Sequence, residues 1–334
     1  MKRIAALLTA AMVLAASLAG CQPKGNTTGG QTPVTLNEVA HSIFYAPQYA
    51  AYELGYFKEE GIDLTIVTGF GADKVMTALV AGEADIGFMG SEASIYTYVN
   101  GAEDYAVNFA QLTQRAGNFL VAREAQPDFQ WSDLKGKTVL GGRAGGMPEM
   151  VFEYILKKNN IDPQADLSID QSIDFGLTAA AFSSNDADYT VEFEPHATAL
   201  EMEGNGVVVA SLGVDSGYVP YTAYCAKQSY FKGHEDIIQG FTNAIQKGMD
   251  YVNSHSAAEV AKTIQPQFPE TDLETITKIV ERYQEQDTWK EDTVFQEDSF
   301  NLLQNILMEA GELEEKVPYD KLVTTVYSEK AAEE

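Results

Sequence analysis

Cysteine and histidine are scarce in this 334-residue sequence, and their scarcity excludes several kinds of site. Of the two cysteines, Cys21 follows an apolar N-terminal run and Cys225 lies in the apolar stretch YTAYCA. If removal of the N-terminal run leaves Cys21 as a modified first residue, Cys225 has no cysteine partner. An internal disulfide is then impossible, so a disulfide scaffold is excluded. We interpret Cys225 as a buried strand residue rather than a nucleophile. The four histidines are scattered and have no cysteine partner, so we predict no metal site.

Positively charged residues are also few. The 22 lysines and arginines are outnumbered by 49 acids, which gives a formal net charge of −27. Removal of an N-terminal signal takes away Lys2 and Arg3 but no acid, so the charge becomes −29. Such a chain is repelled by nucleic acid and by anionic lipid, and we expect neither as a direct partner.

Long apolar runs are confined to the N-terminus. Residues 4–18 form an apolar run after a basic start, which is typical of a secretory signal and too short to span a bilayer. The following LAGC, which ends at Cys21, resembles the lipobox of bacterial lipoproteins, in which the cysteine is lipidated; an ordinary signal with an incidental cysteine is the alternative. We predict that residues 1–20 are removed and that residues 21–33 form a flexible tether at the outer face of the bacterial cytoplasmic membrane.

The remaining 314 residues are enough for two domains of the α/β class. Short apolar runs such as VTLNEVA, LTIVTG and ADIGFMG predict strands, and YAPQYAAYELGYFKEEG and DKVMTALVAG predict the helices between them. A second set follows in KTVLGG, PEMVFEYILKKNN, LSID, FGLTAAAFSSN and ADYTVEFE. This alternation predicts mainly parallel sheets flanked by helices.

The two series of predicted strands and helices resemble two copies of one structural repeat. Placing Asp85 on Asp188 sets ALVAGEADIGFMGSEA against AFSSNDADYTVEFEPH, each with a helix end, a turn ending in Ala-Asp, a strand and a polar loop. Chance similarity between two amphipathic units is the alternative. The alignment puts the loops 90–92 and 192–196 at equivalent strand ends. Because ligands of open α/β sheets bind outside the carboxyl ends of strands, two facing sheets would form a binding cleft.

Beyond VPYTAYCAKQSYF the sequence lacks strand patterns and becomes helical, with apolar residues at three- and four-residue spacing. A late helical block must pack on an earlier sheet. The simplest topology crosses to a second lobe near residues 118–125 and returns near YTAYCA. We therefore predict a first lobe from residues 34–118 and 222–334, and a second lobe from residues 119–221.

The stretch GGRAGGMPEM is a glycine-rich turn between a predicted strand and a predicted helix. Arg143 stands where a dinucleotide fingerprint needs its second glycine, and no Gly-Lys-Ser/Thr follows, so we predict neither a nucleotide nor another cofactor. Backbone N–H groups around Gly145, Gly146 and Met147 could instead bind a polar solute from the second lobe. A turn that serves strand-to-helix geometry alone is the alternative.

The loop that follows the first predicted strand would face this turn across the cleft. His41, Ser42, Phe44 and Tyr45 combine aromatic and polar groups within five residues, which is typical of small-molecule sites. A solvated loop position is the alternative for His41. His234 and His255 lie in charged helical surroundings and are interpreted as surface residues.

The stretch LNEVAHSIFYAPQYAAYELGYFKEEGIDLTIVTGFGADKVMTALVAGEADIGFMGSEA resembles the opening of the periplasmic-type solute-binding proteins of ABC importers. The similarity is to the branch associated with aliphatic sulfonates, taurine, nitrate and thiamine pyrimidine precursors. This resemblance implies a monomeric, two-lobed α/β receptor whose sheets are joined by two crossing strands. It further implies closure on a small solute and delivery to a membrane permease, which needs no catalytic group.

The solute is argued from the charges in the predicted cleft loops. Glu92, Glu192 and Glu194 disfavour a naked anion such as a sulfonate, taurine or nitrate, which Arg143 or Arg115 would favour. An aminopyrimidine stacked on aromatic rings suits the acids better, unless they face solvent or helix N-termini. The predicted ligand-binding residues are His41, Ser42, Phe44, Tyr45, Ser91, Glu92, Arg143, Gly145, Gly146, Met147, Glu192, Phe193 and Glu194.

Two other classes of function stay open. Enzymes of thiamine pyrimidine synthesis share the fold that the resemblance implies, but that family uses a cysteine-rich cluster and a lysine carrying pyridoxal phosphate. This chain has no such cluster, carries an export signal and lacks a Gly-x-Ser-x-Gly elbow, so we expect no enzyme activity. A purely structural or adhesive lipoprotein would need neither a hinge nor facing glycine and aromatic loops.

Overall fold

The computed structural model describes residues 30–173 and 176–333, in which ten strands form two five-stranded sheets. Sheet 1 has the strand order β2-β1-β3-β10-β4, and sheet 2 has the order β7-β6-β8-β5-β9. The strands are β1 Thr32–Glu38, β2 Ile62–Thr68, β3 Ile86–Gly90, β4 Ala106–Thr113, β5 Asn118–Ala122, β6 Thr138–Leu140, β7 Ser168–Asp170, β8 Tyr189–Phe193, β9 Val207–Ser211 and β10 Thr222–Lys227.

Both sheets are mixed, and they share one pairing pattern. In sheet 1, β1 is parallel to β2 and β3, whereas β10 is antiparallel to β3 and β4. In sheet 2, β6 is parallel to β7 and β8, whereas β5 is antiparallel to β8 and β9. The α/β fold class is confirmed, and the antiparallel pairs arise because β5 and β10 enter their sheets directly from the other half of the molecule.

The internal repeat predicted from Asp85 and Asp188 is present in atomic detail. The carboxylate of Asp85 accepts a hydrogen bond from the Thr35 backbone N–H at 2.8 Å, and that of Asp188 accepts one from the Thr138 N–H at 2.9 Å. Each aspartate also donates its own N–H to the carbonyl of the same threonine at 2.9 Å. Each aspartate therefore fixes the register of two neighbouring parallel strands at the matching place in its sheet.

Helices cover both sheets, and the described residues contain fourteen α-helices. They are α1 Ala46–Glu53, α2 Tyr56–Glu59, α3 Ala72–Ala81, α4 Glu92–Val99, α5 Met147–Lys158, α6 Thr178–Ser184, α7 His196–Met202, α8 Leu212–Ser216, α9 Glu235–Ser254, α10 Ala257–Ile264, α11 Leu273–Glu285, α12 Glu297–Ala310, α13 Tyr319–Leu322 and α14 Val326–Glu333. The single helix predicted from YAPQYAAYELGYFKEEG is divided into α1 and α2, because Gly55 has a φ of 80°. In the described ranges no helix has the length and apolar character needed to cross a membrane.

The C-terminal helices reach both sheets rather than the first alone. Helix α9 packs on α1 and also contacts β2 and β4 of sheet 1, and α12 lies against both α4 and α5. At this junction the Lys157 ammonium donates to the Glu309 carbonyl at 2.7 Å. Residues Gln31–Glu334 form one compact unit, and the proposed lobe boundaries at residues 118 and 221 stay a prediction.

The N-terminal predictions fall largely outside the described part of the chain. The signal at residues 1–20 and the lipidated Cys21 precede the first described residue, Gly30. Strand β1 begins at Thr32, so the last residues of the tether predicted for residues 21–33 belong to sheet 1.

Candidate functional site

A cavity of about 140 Å³ lies where strand ends of the two sheets meet. Its wall includes Gly90 at the end of β3, Phe193 at the end of β8, and Asn118 and Thr222 at the starts of β5 and β10. The position matches the general rule that α/β sheets bind ligands beyond strand carboxyl ends. Ten of the predicted ligand-binding residues line this cavity: His41, Ser42, Tyr45, Glu92, Arg143, Gly146, Met147, Glu192, Phe193 and Glu194.

Phe44 and Ser91 were predicted in the site, but the structure places them behind its wall. Phe44 is fully buried, and its ring packs 5.2 Å from that of Tyr283, measured between ring centroids. The Ser91 hydroxyl donates to the Pro220 carbonyl at 2.8 Å and is therefore already used. Phe44 therefore supports the site through ring packing, and Ser91 supports it through a hydrogen bond to the segment before β10.

Three residues of the glycine-rich turn were predicted to bind a solute through backbone N–H groups, and two of them line the cavity. Gly145 does not line the cavity: its N–H donates to the Glu149 carboxylate at 3.1 Å, and its carbonyl accepts from the Tyr96 hydroxyl at 3.2 Å. Its φ of 74° is a conformation that favours glycine. Gly146 and Met147, at the start of α5, do line the cavity. The turn thus serves chain geometry at Gly145 and faces the cavity at the next two residues.

Glu92 is the first residue of α4 and is only 3% exposed. Its Oε2 has no hydrogen-bond partner among the described residues. The carboxylate folds back over Gly90, where a Cβ atom would lie 2.1 Å from Oε2, so only glycine leaves room for it. Burial raises the pKa of Glu92 to about 7, although its own backbone N–H, the Arg143 charge and the Met147 N–H each lower it.

Asn118 begins β5 on the opposite side of the cavity and is 1% exposed. Its Oδ1 accepts a hydrogen bond from the Tyr221 hydroxyl at 2.7 Å, while its Nδ2 has no partner within the described ranges. Whichever way the amide is turned, Tyr221 engages only one of its two polar atoms. One amide atom is therefore left for something in the cavity.

Glu192 lies on β8 and is buried, but its carboxylate is fully engaged by neighbouring hydroxyls. Oε1 accepts from Thr190 at 2.6 Å, and Oε2 accepts from Thr178 at 3.0 Å. Burial raises the pKa of Glu192 to about 7, even though both hydroxyl contacts lower it. Glu192 therefore supplies the wall with an acid but not with a free oxygen atom.

Glu194 also has its carboxylate satisfied within the protein. It accepts from the Thr198 N–H at 2.9 Å and from the Thr198 hydroxyl at 3.0 Å, and it pairs with the Arg282 guanidinium of α11. Its backbone carbonyl accepts from the Ser42 hydroxyl at 2.8 Å. Glu194 therefore joins the segment after β8 to the segment after β1 and to the C-terminal helices.

His41 contributes its ring to the wall while both its nitrogens are occupied. Nδ1 lies 2.9 Å from the Glu38 carboxylate, and Nε2 lies 2.8 Å from the Gln267 carbonyl. Burial lowers the pKa of His41, whereas the hydrogen bonds to these two acceptors and the Glu38 charge together raise it by more. The pKa of His41 is therefore above its ordinary value. The protonated ring donates to both acceptors, which fixes its orientation.

Two arginines considered as anion ligands differ in their placement. Arg143 lines the cavity but is half exposed, and it lies 3.5 Å from the Asp73 carboxylate, as is typical of a weak surface ion pair. Arg115 stacks over the Tyr218 ring at 4.3 Å and donates to the Gly213 carbonyl, away from the cavity. Of these two arginines, Arg143 alone lines the cavity, and it does so from a half-exposed position.

Sequence reasoning missed residues near the crossing segments and on neighbouring loops. Asn118 and Tyr221 lie where the chain passes between the sheets, and Thr178 begins α6. The position of Asn118 at the start of a predicted crossing strand was a usable signal. Nothing in the local pattern around Tyr221 distinguished it from an ordinary core aromatic.

Two similarly wound sheets with a cavity between their strand ends define a two-lobed binding protein of the periplasmic type. The NMT1/THI5 like family model matches residues 43–258, and the chain belongs to this family. The resemblance predicted from the sequence is confirmed.

Named relatives agree with this class. The chain is 46% identical over 318 residues to "Putative binding protein YtlA" of Bacillus subtilis (strain 168), covering 95% of this chain and 94% of the relative. The fold is similar to that of the alkanesulfonate-binding protein SsuA of Xanthomonas axonopodis pv. citri bound to MOPS, with a TM-score of 0.71 and 14% sequence identity. The similarity covers 88% of this chain and 98% of that chain. The fold is also similar to that of the periplasmic nitrate-binding protein NrtA of Synechocystis PCC 6803, with a TM-score of 0.75 and 14% sequence identity. This similarity covers 91% of this chain and 89% of that chain.

Proposed function

We propose that this protein is the solute-binding component of an ABC importer and captures a small, nitrogen-containing heteroaromatic solute such as a thiamine pyrimidine precursor. The observation that carries the proposal is a small cavity between two sheets whose buried charged groups are carboxylates. Its volume lies below the roughly 300–1,000 Å³ of sites for drug-sized ligands, which favours a single-ring solute.

The wall chemistry supports an amine-bearing ring over a naked anion. Glu92, Glu192 and Glu194 are each at most 3% exposed, whereas Arg143 is half exposed. Ionised buried acids repel an anion, and among these three Glu92 has an oxygen without a partner in the described ranges, which can accept an N–H group. Tyr45 and Phe193 add ring surface against which a flat solute can stack.

An oxyanion solute such as a sulfonate, taurine or nitrate is the second candidate. It is favoured by Arg143 and by the backbone N–H groups at the start of α5, and the proteins of similar fold include one named for alkanesulfonate and one for nitrate. Against it, the Met147 N–H already stabilises the Glu92 carboxylate. We therefore rank the anion below the heteroaromatic amine.

The proposed mechanism is closure of two lobes around the solute. Contacts from both sheets favour the closed state because only that state makes all of them. The Ser42 hydroxyl bonded to the Glu194 carbonyl is one cross-cavity contact of this kind. Binding and delivery of this kind require no catalysis, and we propose that the protein works as a monomeric, exported lipoprotein held by Cys21 beside its permease.

Isothermal titration calorimetry with a panel of solutes tests this function. We expect 4-amino-5-hydroxymethyl-2-methylpyrimidine or a similar aminopyrimidine to bind with a Kd of about 1 μM or tighter, which corresponds to about −8 kcal/mol. Taurine, an alkanesulfonate and nitrate should bind far more weakly. Tight binding of an alkanesulfonate with no response to aminopyrimidines would reverse the ranking of the two candidates, and binding of no small solute would contradict the transport role.

A further inference from the structure

Two buried polar atoms of residues that line the cavity have no hydrogen-bond partner among residues 30–173 and 176–333. They are Oε2 of Glu92, an acceptor, and Nδ2 of Asn118, a donor. Leaving such an atom unsatisfied destabilises the fold, so two of them in residues that line one cavity imply a partner that binds there. Water can do so in the empty protein, and a solute that offers both groups replaces it.

Both atoms are held in place by the surrounding structure. The Glu92 carboxylate occupies the space above Gly90 that a Cβ atom would fill. The Asn118 amide is tied to the hydroxyl of Tyr221, a residue that is only 3% exposed. Such preorganised groups bind a matching solute without the cost of ordering flexible side chains.

The other buried acids of the wall cannot take this role. Both oxygens of Glu192 accept from threonine hydroxyls, and both oxygens of Glu194 accept from Thr198. Glu92, at the start of α4 after β3, and Asn118, at the start of β5, therefore line one cavity of about 140 Å³, and each carries a polar atom that has no partner in the described part of the chain. A solute that binds both atoms spans the gap between the sheets.

We infer that Glu92 and Asn118 together select a solute that carries an N–H donor and a lone-pair acceptor on one small ring, as an amidine or an aminopyrimidine does. This inference rests on the proposed function and assigns its specificity to two residues. A sulfonate or nitrate offers acceptors only. At pH values above the pKa of Glu92, which burial raises to about 7, such a solute leaves the ionised carboxylate facing another acceptor, so the titrations are run at about pH 8.5. A simple alkylamine offers donors only and leaves Asn118 unpaired.

The test pairs two probes with two variants in calorimetric titrations. The probes are 4-amino-2-methylpyrimidine, which has both groups, and 2-methylpyrimidine, which has only the acceptors. For the unmodified protein we expect the amino compound to bind about tenfold tighter or more, since a site built for a hydrogen bond rejects an analogue that lacks it. Glu92→Met, which leaves no side-chain oxygen to accept the N–H, should remove most of this preference, whereas Asn118→Leu should weaken both probes.

Glu153→Met is the matched control, because Glu153 is a buried acid outside the cavity. It should leave both affinities within about twofold, and thermal melting shows whether each variant is folded. Equal binding of the two probes by the unmodified protein overturns the inference without any variant. Retention of the preference in Glu92→Met overturns it while leaving the proposed function in place. Failure of the unmodified protein to bind either pyrimidine overturns both.

Discussion

At the scale of single residues, the acids of the site differ in whether their oxygens are free, and this difference could not be read from the sequence. The residue types at Glu92, Glu192 and Glu194 predicted an acidic cleft, and all three residues line the cavity. Their partners are set by tertiary contacts, since Arg282 lies 88 residues beyond Glu194. A local pattern identifies a candidate side chain but not the distant group that satisfies it.

Stability should depend on pH through Glu192. Its pKa is raised from an ordinary 4.5 to about 7 by burial, so between these values the unfolded chain loses a proton that the folded protein keeps. The free energy of unfolding should therefore fall as pH rises from about 4.5 to 7, by up to about 3 kcal/mol. Glu192→Gln should reduce this slope in urea titrations across that range, and the contribution of Glu92, whose pKa is also raised to about 7, should remain. Glu83→Gln, at an exposed position, should keep the original slope, and an unchanged slope in Glu192→Gln would contradict the assignment.

The two glycines of the turn should respond differently to alanine. Gly145 has a φ of 74°, so Gly145→Ala should cost about 1 kcal/mol of folding stability. Gly146 has a φ of −92°, and an added Cβ would lie 3.3 Å from the Arg143 carbonyl, so its effect on stability should be small. Because Gly146 lines the cavity, its variant should change solute affinity instead. Denaturant melts and calorimetry on both variants measure this separation, which equal effects of the two would refute.

At the scale of elements, hydrophobic alternation predicted the structural repeats well and their pairing less well. The strands in VTLNEVA, LTIVTG, ADIGFMG and KTVLGG lie where expected, because each is a short apolar run bounded by turn residues. The antiparallel insertion of β10 between β3 and β4 could not be predicted, because it joins residues more than a hundred positions apart. The sequences of strand β9 and of helices α4 and α7 also lack a strong local pattern that predicts a strand or a helix.

The repeated aspartates give an element-scale prediction. Asp85→Ala and Asp188→Ala each remove a carboxylate that accepts a backbone N–H beside a parallel strand. We expect each substitution to lower the free energy of unfolding by about 1–2 kcal/mol, and by similar amounts, since the contacts are equivalent. Urea titrations measure both. Glu83→Ala, two residues before Asp85 on an exposed turn, is the control and should have little effect.

At the scale of the whole molecule, the cavity depends on contacts that join distant parts of the chain. Arg282 of α11 pairs with Glu194 and also with Glu201, at 3.0 Å, on α7 of the second half. The same helix lies against the 3₁₀ turn Ile43–Tyr45 after β1. The C-terminal block therefore holds together the two segments that form opposite walls of the site, a role that its helical periodicity alone does not reveal.

Removing Arg282 should expose this role. Arg282→Met leaves the Glu194 carboxylate buried without its cation, so the free energy of unfolding should fall by about 3 kcal/mol. The double variant Arg282→Met with Glu194→Gln should recover part of that loss, because no buried charge is then left unpaired. Lys278→Met is the control: Lys278 is more exposed, lies 3.5 Å from Glu201 and should contribute less than about 1 kcal/mol.

A double-mutant cycle in urea separates this pair from its neighbours. Glu194 forms part of the cavity wall, so Arg282→Met should also weaken solute binding in calorimetry, whereas Lys278→Met should not. If the losses at Arg282 and Glu194 simply add, the two side chains act independently and the C-terminal helices do not join the walls through this pair. If they couple but affinity is unchanged, the pair stabilises the fold without shaping the cavity.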